Sequence, residues 1–292
     1  MPTPVRTLTL RRPRSLKAAL AMLADDPTLT PIAGCTDVLV GLHFGTLDKR
    51  RFIDLWPLDD LRGIRLVQDK PKGLSPHART GGDKPSGLSI RIGALATFTD
   101  IIKSALVQRR VPMLVAAARE VGGAQIQNRG TLGGNIANAS PAGDTLPVLS
   151  AANARIVLRS ASGERVVPFN DFYTGYRTSV RQPSELIAAI EIPPIDGRQW
   201  WRKVGTRRAQ AISKVMMAGV RGPEVRVAIG SVAPTVLHAS AAAAVLSRGG
   251  SIADAQAALR SEIAPIDDIR STGDYRRQVA ENLLAVFWKE TR

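Results

Sequence analysis

Thiol chemistry is nearly absent from this 292-residue chain, which carries one cysteine, Cys35. A single sulfur excludes a disulfide within the chain, an all-cysteine zinc site and an iron–sulfur cluster of its own. Histidine is as scarce: His43, His77 and His238 lie far apart and in no metal-ligand spacing. No apolar run approaches the length that spans a bilayer. The N-terminal stretch MPTPVRTLTLRRPRS lacks the apolar core of a secretory signal. The expectation is a cytoplasmic protein with no membrane span. No two glycines are separated by a single residue, so there is no GxGxxG dinucleotide fingerprint, and no GxxxxGK phosphate loop is present. No Ser-His-Asp arrangement assembles from the sequence.

What is present is a globular composition. Hydrophobic residues make up 44% of the chain and the mean hydropathy is -0.02, enough to bury a sizeable core. The length fits one large or two moderate domains. The net charge of +15 has three readings: nucleic-acid binding, a generally basic surface, or a surface that meets acidic partners or an anionic cofactor. The basic residues are scattered, aromatics are only 4% and no nucleic-acid motif occurs, which favours the last two.

The stretch from Gln125 to Pro147, QIQNRGTLGGNIANASPAGDTLP, has no apolar period of either helix or strand. At its centre, Gly133-Gly134-Asn135 suits a loop whose backbone must approach another group closely, because glycine lacks Cβ and accepts positive φ. Consecutive exposed amides in such a loop form an anion-binding nest. Around it the chain reads as α+β. A helix capped near Ser15 buries Leu16, Ala19, Leu20 and Leu23 on one face. Thr36 and Asp37 are candidate N-caps of a second helix, and Thr97 or Thr99 opens another. Pro112 starts a helix that stops at Gly122-Gly123. ARIVLRSASGERVVPF reads as a hairpin turning at Ser162-Gly163, and residues 69–88 as an exposed Pro/Gly-rich loop. Three antiparallel strands and a helical tail follow, with a domain boundary close to residue 175.

Six segments in order resemble one family: PIAGCTDVLVG (31–41), RIGALATFTDI (91–101), NRGTLGGNIANASPAGDTLPVL (128–149), DFYTGYRTSVRQPSELIAAIEIP (171–193), KVGTRRAQAISKV (203–215) and APIDDIRSTGDYRRQVAENLL (264–284). Together they look like the FAD-binding medium subunit of the molybdenum hydroxylases, the xanthine dehydrogenase and carbon monoxide dehydrogenase family. The resemblance runs from about residue 7 to residue 288. It implies a two-lobed FAD-binding fold of the vanillyl-alcohol oxidase or molybdopterin dehydrogenase type over residues 1–175, with the lobes dividing near residue 57. A C-terminal domain like that of carbon monoxide dehydrogenase flavoprotein, with a three-stranded antiparallel sheet and helices, is implied over 176–292.

The same resemblance implies the site. The first flavin loop falls on Ala33, Gly34, Cys35, Thr36 and Asp37, flanked by Ile32 and Val38. The second falls on Thr131, Leu132, Gly133, Gly134 and Asn135. Both are expected to embrace the FAD diphosphate with backbone amides and hydroxyls. Asp144 matches an aspartate that binds the ribityl or ribose region, where a carboxylate accepts from sugar hydroxyls. Ile187 matches an apolar residue against the flavin ring. Lys203 matches a lysine at the pyrimidine edge, where a cation stabilises charge added on reduction. Tyr176 and Arg177 are expected to support the flavin or the loop over it. Cys35 departs from the family, which has glycine there; if the position needs positive φ, cysteine costs about 1–2 kcal/mol.

The implied activity is that of an oxidoreductase subunit whose FAD passes electrons from 2Fe-2S clusters on a small subunit to an external acceptor, while a large subunit with molybdenum cofactor acts on the organic substrate. The expected assembly is a heterotrimer or a dimer of heterotrimers, with no metal in this chain and no nucleic-acid partner. Two other readings stand beside it: a stand-alone FAD-dependent oxidoreductase on the same fold, and a basic nucleic-acid-binding protein whose glycine loops are structural.

Overall fold

The computed structural model describes residues 4–68 and 87–292; all but the end of the expected 69–88 loop lies outside them. The first lobe is built from β1 (Thr9–Arg11), α1 (Leu16–Asp25), β2 (Thr30–Ile32), α2 (Thr36–Phe44) and β3 (Arg51–Asp54). Its three strands are parallel, in the order β1-β3-β2. Ser15 caps α1 by accepting from the Ala18 amide at 3.1 Å. The expected stripe of Leu16, Ala19, Leu20 and Leu23 is buried, because residues three and four apart share a helix face.

The second lobe begins with β4 (Ile64–Gln68) and β5 (Leu88–Gly93), so the chain passes between the sheets in the segment from Leu55 to Gly63. Short helices follow: α3 (Phe98–Lys103), α4 (Ala105–Arg110), α5 (Pro112–Arg119), α6 (Ala124–Gln127), α7 (Leu132–Asn138) and α8 (Leu146–Ala151). Thr97 and Asp100 form a capping box on α3. Helix α5 ends at Arg119, earlier than the glycine pair that its sequence offers as a stop. Then come the hairpin of β6 (Arg155–Ser160) and β7 (Gly163–Pro168), the small hairpin of β8 (Tyr173–Gly175) and β9 (Thr178–Ser179), and β10 (Leu186–Ile192). The antiparallel sheet runs β4-β5-β10-β6-β7.

Strand β10 lies at the centre of this sheet, bonded to β5 on one side and β6 on the other. The chain therefore leaves the second lobe after Ile192, later than a division near residue 175 would place it. The hydrophobic run LIAAIEI belongs there because a central strand is covered on both faces. One face packs on α1 through Leu186, Ala188 and Ala189, and the other on α3, α5, α7 and α8 through Ile187 and Ile190.

The C-terminal part has four strands, not the expected three: β11 (Arg198–Gly205), β12 (Ser213–Arg221), β13 (Arg226–Gly230) and the two-residue β14 (Leu237–His238). Two residues are too few to show an alternating pattern, and β14 exists only through its pairing with β13. Helices α9 (Ser240–Ser247), α10 (Ile252–Glu262) and α11 (Gly273–Glu290) cover one face, with Phe287 and Trp200 in the core. The other face packs Ala218, Val220 and Ala228 onto the helical layer of the second lobe. No helix among the described residues is long and apolar enough to cross a membrane.

Candidate functional site

A cleft of about 470 Å³ opens between the two lobes. One wall is the turn from β2 into α2, from Ile32 to Val38. The other carries Thr131, Gly133, Gly134 and Asn135 at the start of α7. Leu186 and Ile187 of β10 contribute from the sheet, with Leu61, Leu95 and Phe98 adding apolar surface.

The two turns are built differently. Cys35 adopts the left-handed conformation, with φ 60° and ψ 10°, and is the N-cap of α2. Thr36 and Asp37, the candidate caps, lie inside the first helical turn instead. The first intrahelical bond is from the Leu39 amide to the Cys35 carbonyl at 2.9 Å. Among the described residues the amides of Thr36, Asp37 and Val38 find no backbone acceptor, and the Cys35 side chain does not cap them. These donors, at the positive end of α2, face the cleft and suit an anion.

At the second turn the amides are already engaged. Leu132 donates to the Ala96 carbonyl at 3.0 Å, Gly133 to Ala94 at 2.9 Å and Asn135 to Thr131 at 3.0 Å. The Gly134 amide donates to Thr131 Oγ1, also at 3.0 Å. The nest of free amides inferred from Gly133-Gly134 is thus absent among the described residues, and the run of three consecutive free donors belongs to the first turn. The glycines serve close approach. A Cβ on Gly133 would stand 2.7 Å from the Cβ and carbonyl oxygen of Ala94. One on Gly34 would run into the Arg129 carbonyl oxygen. Gly134 is different: its missing Cβ would meet only Thr131 Oγ1, at 2.8 Å, and otherwise leaves open a cradle that a side chain would fill. Free amides on one wall and a bare glycine surface on the other fit a dinucleotide diphosphate.

Two cross-lobe contacts hold the walls together. The ring of Trp56, just after β3, makes cation–π contacts with the guanidinium groups of Arg129 at 3.7 Å and Arg62 at 4.5 Å. The Asn138 side-chain amide approaches Asp37 Oδ1 at 3.4 Å. Cys35 sits within this frame, half-buried, its Sγ 3.4 Å from the Ala33 carbonyl. Burial, and then the Asp54 carboxylate, push its thiol above the ordinary cysteine value, against the pull of Arg129.

Behind the cleft, Lys203 Nζ donates to Asp144 Oδ2 at 2.7 Å and to the Glu120 carbonyl at 3.1 Å. The Ser213 hydroxyl donates to the other Asp144 oxygen at 2.5 Å. Burial pushes the Asp144 carboxyl above the usual aspartate range, with Lys203 and Ser213 opposing. The next residue, Thr145, donates to Asn135 Oδ1 at 2.6 Å and so links this buried group to the cleft wall.

Residues 6–195 match the family model described as the FAD binding domain in molybdopterin dehydrogenase. The chain belongs to that family. Residues 201–291 match the CO dehydrogenase flavoprotein C-terminal domain, and the two matches meet where β10 ends and β11 begins. The glyceraldehyde dehydrogenase medium chain of Sulfolobus acidocaldarius is 31% identical over 96% of this chain and 96% of that one. The xanthine dehydrogenase FAD-binding subunit of Escherichia coli O157:H7 is 35% identical over 63% of this chain and 56% of that protein. Among solved structures, a chain of the carbon monoxide dehydrogenase from Hydrogenophaga pseudoflava, in a form lacking the Mo-pyranopterin moiety of the molybdenum cofactor, superposes with a TM-score of 0.82. It shares 27% identity, with 97% of this chain and 96% of that chain covered.

For a member of the FAD-binding family, the expected site residues divide cleanly. Ile32, Ala33, Gly34, Cys35, Thr36, Asp37, Val38, Thr131, Gly133, Gly134, Asn135 and Ile187 all line the cleft. Asp144 and Lys203 do not line it; they pair with each other behind it. Tyr176 and Arg177 stand at the β8–β9 turn, where Tyr176 is exposed and Arg177 donates to Asn138 Oδ1 at 3.3 Å. Sequence reasoning missed Arg181, the one basic side chain among the described residues lining the cleft. Its Nη1 donates to the carbonyls of Gln182 at 3.0 Å and Glu185 at 2.7 Å. Burial lowers its pKa, with Glu185 opposing. Within RQPSEL it has the appearance of an ordinary loop cation, and nothing local marks it.

Proposed function

We propose that this chain is the FAD-carrying electron-transfer subunit of a multi-subunit molybdenum hydroxylase, passing electrons from 2Fe-2S clusters of a partner subunit through FAD to an external acceptor. The observation that carries the reading is the three α2 amides, without an acceptor among the described residues, on the wall of the interlobe cleft opposite the bare Gly134 surface. When bound there, FAD supplies the capacity to take up and release electrons.

The residues of this chain bind and orient the cofactor. The amides of Thr36, Asp37 and Val38 hold the diphosphate at the positive end of α2, and Arg181 adds a cation to the same cleft. Ile187 and Leu186 present apolar surface that keeps water from one face of the ring system. Asn135, steadied by Thr145, offers its side-chain amide to the sugar or ring edge. Asp144 and Lys203 act from behind this wall, as a buried charge pair that fixes its shape and sets the field at its back.

The organic substrate is turned over on a large subunit that carries the molybdenum cofactor, and a small subunit supplies the clusters. We place the three as a heterotrimer, or a dimer of heterotrimers, in the cytoplasm, with the domain division of this chain between residues 192 and 198. An absorption spectrum of the purified protein, with any co-purifying partners, tests the reading. About one FAD per chain, released by heat and lost in Gly134→Asp, is the expected result. A colourless protein that stays colourless after FAD is added, alone and with its partners, would overturn it.

A further inference from the structure

We propose that a second cavity, separated from the cofactor cleft by Leu61, binds a small phosphate dianion. The cavity measures about 200 Å³ and is lined by four arginines, Arg62, Arg65, Arg91 and Arg159, with Asp60 as its carboxylate. Leu61 lines both this cavity and the cleft.

The strand register brings the guanidinium groups together. Arg65 on β4 lies directly opposite Arg91 on β5, an arrangement of like charges that destabilises an antiparallel pair unless something compensates it. Arg159 comes from β6, and Arg62 from the turn that enters the second lobe. Two of the four are engaged. Arg91 pairs with Glu191 at 2.7 Å and Glu164 at 3.5 Å. Arg62 donates to the Trp56 carbonyl at 2.7 Å and stands 3.7 Å from Asp59.

Arg65 and Arg159 have no carboxylate within ion-pair distance among the described residues. Glu164 is directly opposite Arg159 in the β6–β7 register, but its carboxylate turns to Arg91. Two exposed arginines whose side chains have no hydrogen-bond or carboxylate partner among the described residues therefore line one cavity, in which Asp60 is the one lining carboxylate among the described residues. Each offers a planar fork of N–H groups suited to an oxyanion. The volume suits a bare phosphate or a small phosphate monoester. It is below the roughly 300–1,000 Å³ of sites that enclose larger ligands. Leu16 of the first lobe and Ala188 and Ala189 of the second also line the cavity, so a bound anion bridges the two lobes that flank the cofactor.

Calorimetric titration of inorganic phosphate into phosphate-free protein, as purified and at ionic strength held constant with chloride, tests the proposal. The expected result is one saturable site, weakened about tenfold or more in the Arg65→Gln, Arg159→Gln double variant, because each lost bond is to a charged group. Asp60→Asn should tighten the same site by removing a like charge. Glycerol phosphate distinguishes the sources of the dianion: displacement of phosphate with the same variant dependence assigns a phosphate monoester, and failure to displace assigns inorganic phosphate. No saturable binding in the wild type, or an unchanged affinity in the double variant with a wild-type melting temperature, overturns the proposal. Arg65 and Arg159 line this cavity and not the cofactor cleft, so loss of binding in the double variant separates this site from phosphate held in a cleft without FAD.

Discussion

Replacing Cys35 by glycine or by alanine should reverse the usual order of stability of those two residues. Cys35 holds φ 60° and ψ 10°, a conformation that costs a residue with a Cβ about 1–2 kcal/mol. Cys35→Ala keeps that cost and removes the thiol, whose one hydrogen bond is the 3.4 Å contact with the Ala33 carbonyl. Cys35→Gly removes the thiol and the strain together, against an entropy cost of roughly 0.5–1 kcal/mol for freeing the unfolded chain. The difference leaves the Cys35→Gly variant more stable than the Cys35→Ala variant by about 0.5–1 kcal/mol. For a chain of this size that corresponds to a rise of about 1–4 °C in melting temperature. Ala18→Gly inside α1 is the control, and should move the other way by about 1 kcal/mol. Thermal melts of the three variants, each with its cofactor content matched, make the comparison. An alanine variant as stable as the glycine variant would show that the first turn imposes no left-handed strain, and the account of Cys35 as a tolerated misfit would fall.

The glycines of the second turn should separate binding from folding. Gly134→Asp is expected to lose FAD with a smaller fall in melting temperature than Gly133→Ala, since its Cβ presses only on the Thr131 hydroxyl and no backbone atom. Gly133→Ala should instead destabilise the fold by about 1–3 kcal/mol, because its Cβ meets Ala94; equal melting curves would refute the distinction. Arg181→Gln should weaken FAD about tenfold or more, with the deficit shrinking as salt rises; unchanged affinity in equilibrium dialysis would remove Arg181 from the site. Burial raises the Glu185 pKa, but Arg165 at 2.6 and 2.9 Å and the Gln182 amide at 2.7 Å outweigh it, so the net shift is downward. The stability of this pairing is present above the unfolded glutamate value and is lost as pH falls through the lower folded one. Melts of Glu185→Gln against wild type should therefore differ most near neutral pH and converge in acid; a constant gap would contradict the linkage.

Much of the frame was readable from local pattern. The α1 stripe and the β6–β7 hairpin follow from spacing and residue type, as does a threonine cap on α3 at 97 or 99, because their hydrogen bonds close over a few positions. The hairpin turns at Ala161-Ser162, one residue before the expected Ser162-Gly163. The extent of the second lobe was not readable in the same way. Strand β10 follows a hairpin and a loop, and it is joined to β5 by pairing across almost a hundred residues, a relation that no periodicity records. The short β14 was invisible for the opposite reason, since two residues have no period.

The functional site divides along the same line. Sequence by itself determined that Gly133-Gly134-Asn135 suits a close backbone approach and that a single cysteine allows no disulfide within the chain, while the resemblance marked Cys35 as standing where the family has glycine. Tertiary structure alone decided which turn keeps its amides free. The carbonyls of Ala94 and Ala96, placed by the exit of β5, take up the amides of Gly133 and Leu132, while among the described residues no acceptor reaches those of Thr36, Asp37 and Val38. It also turned Asp144 and Lys203 toward each other, 59 positions apart, and brought Arg181 into the cleft. A donor's availability, a charge's partner and a cavity's walls are fixed by groups distant in sequence, and only the packed chain brings those groups together.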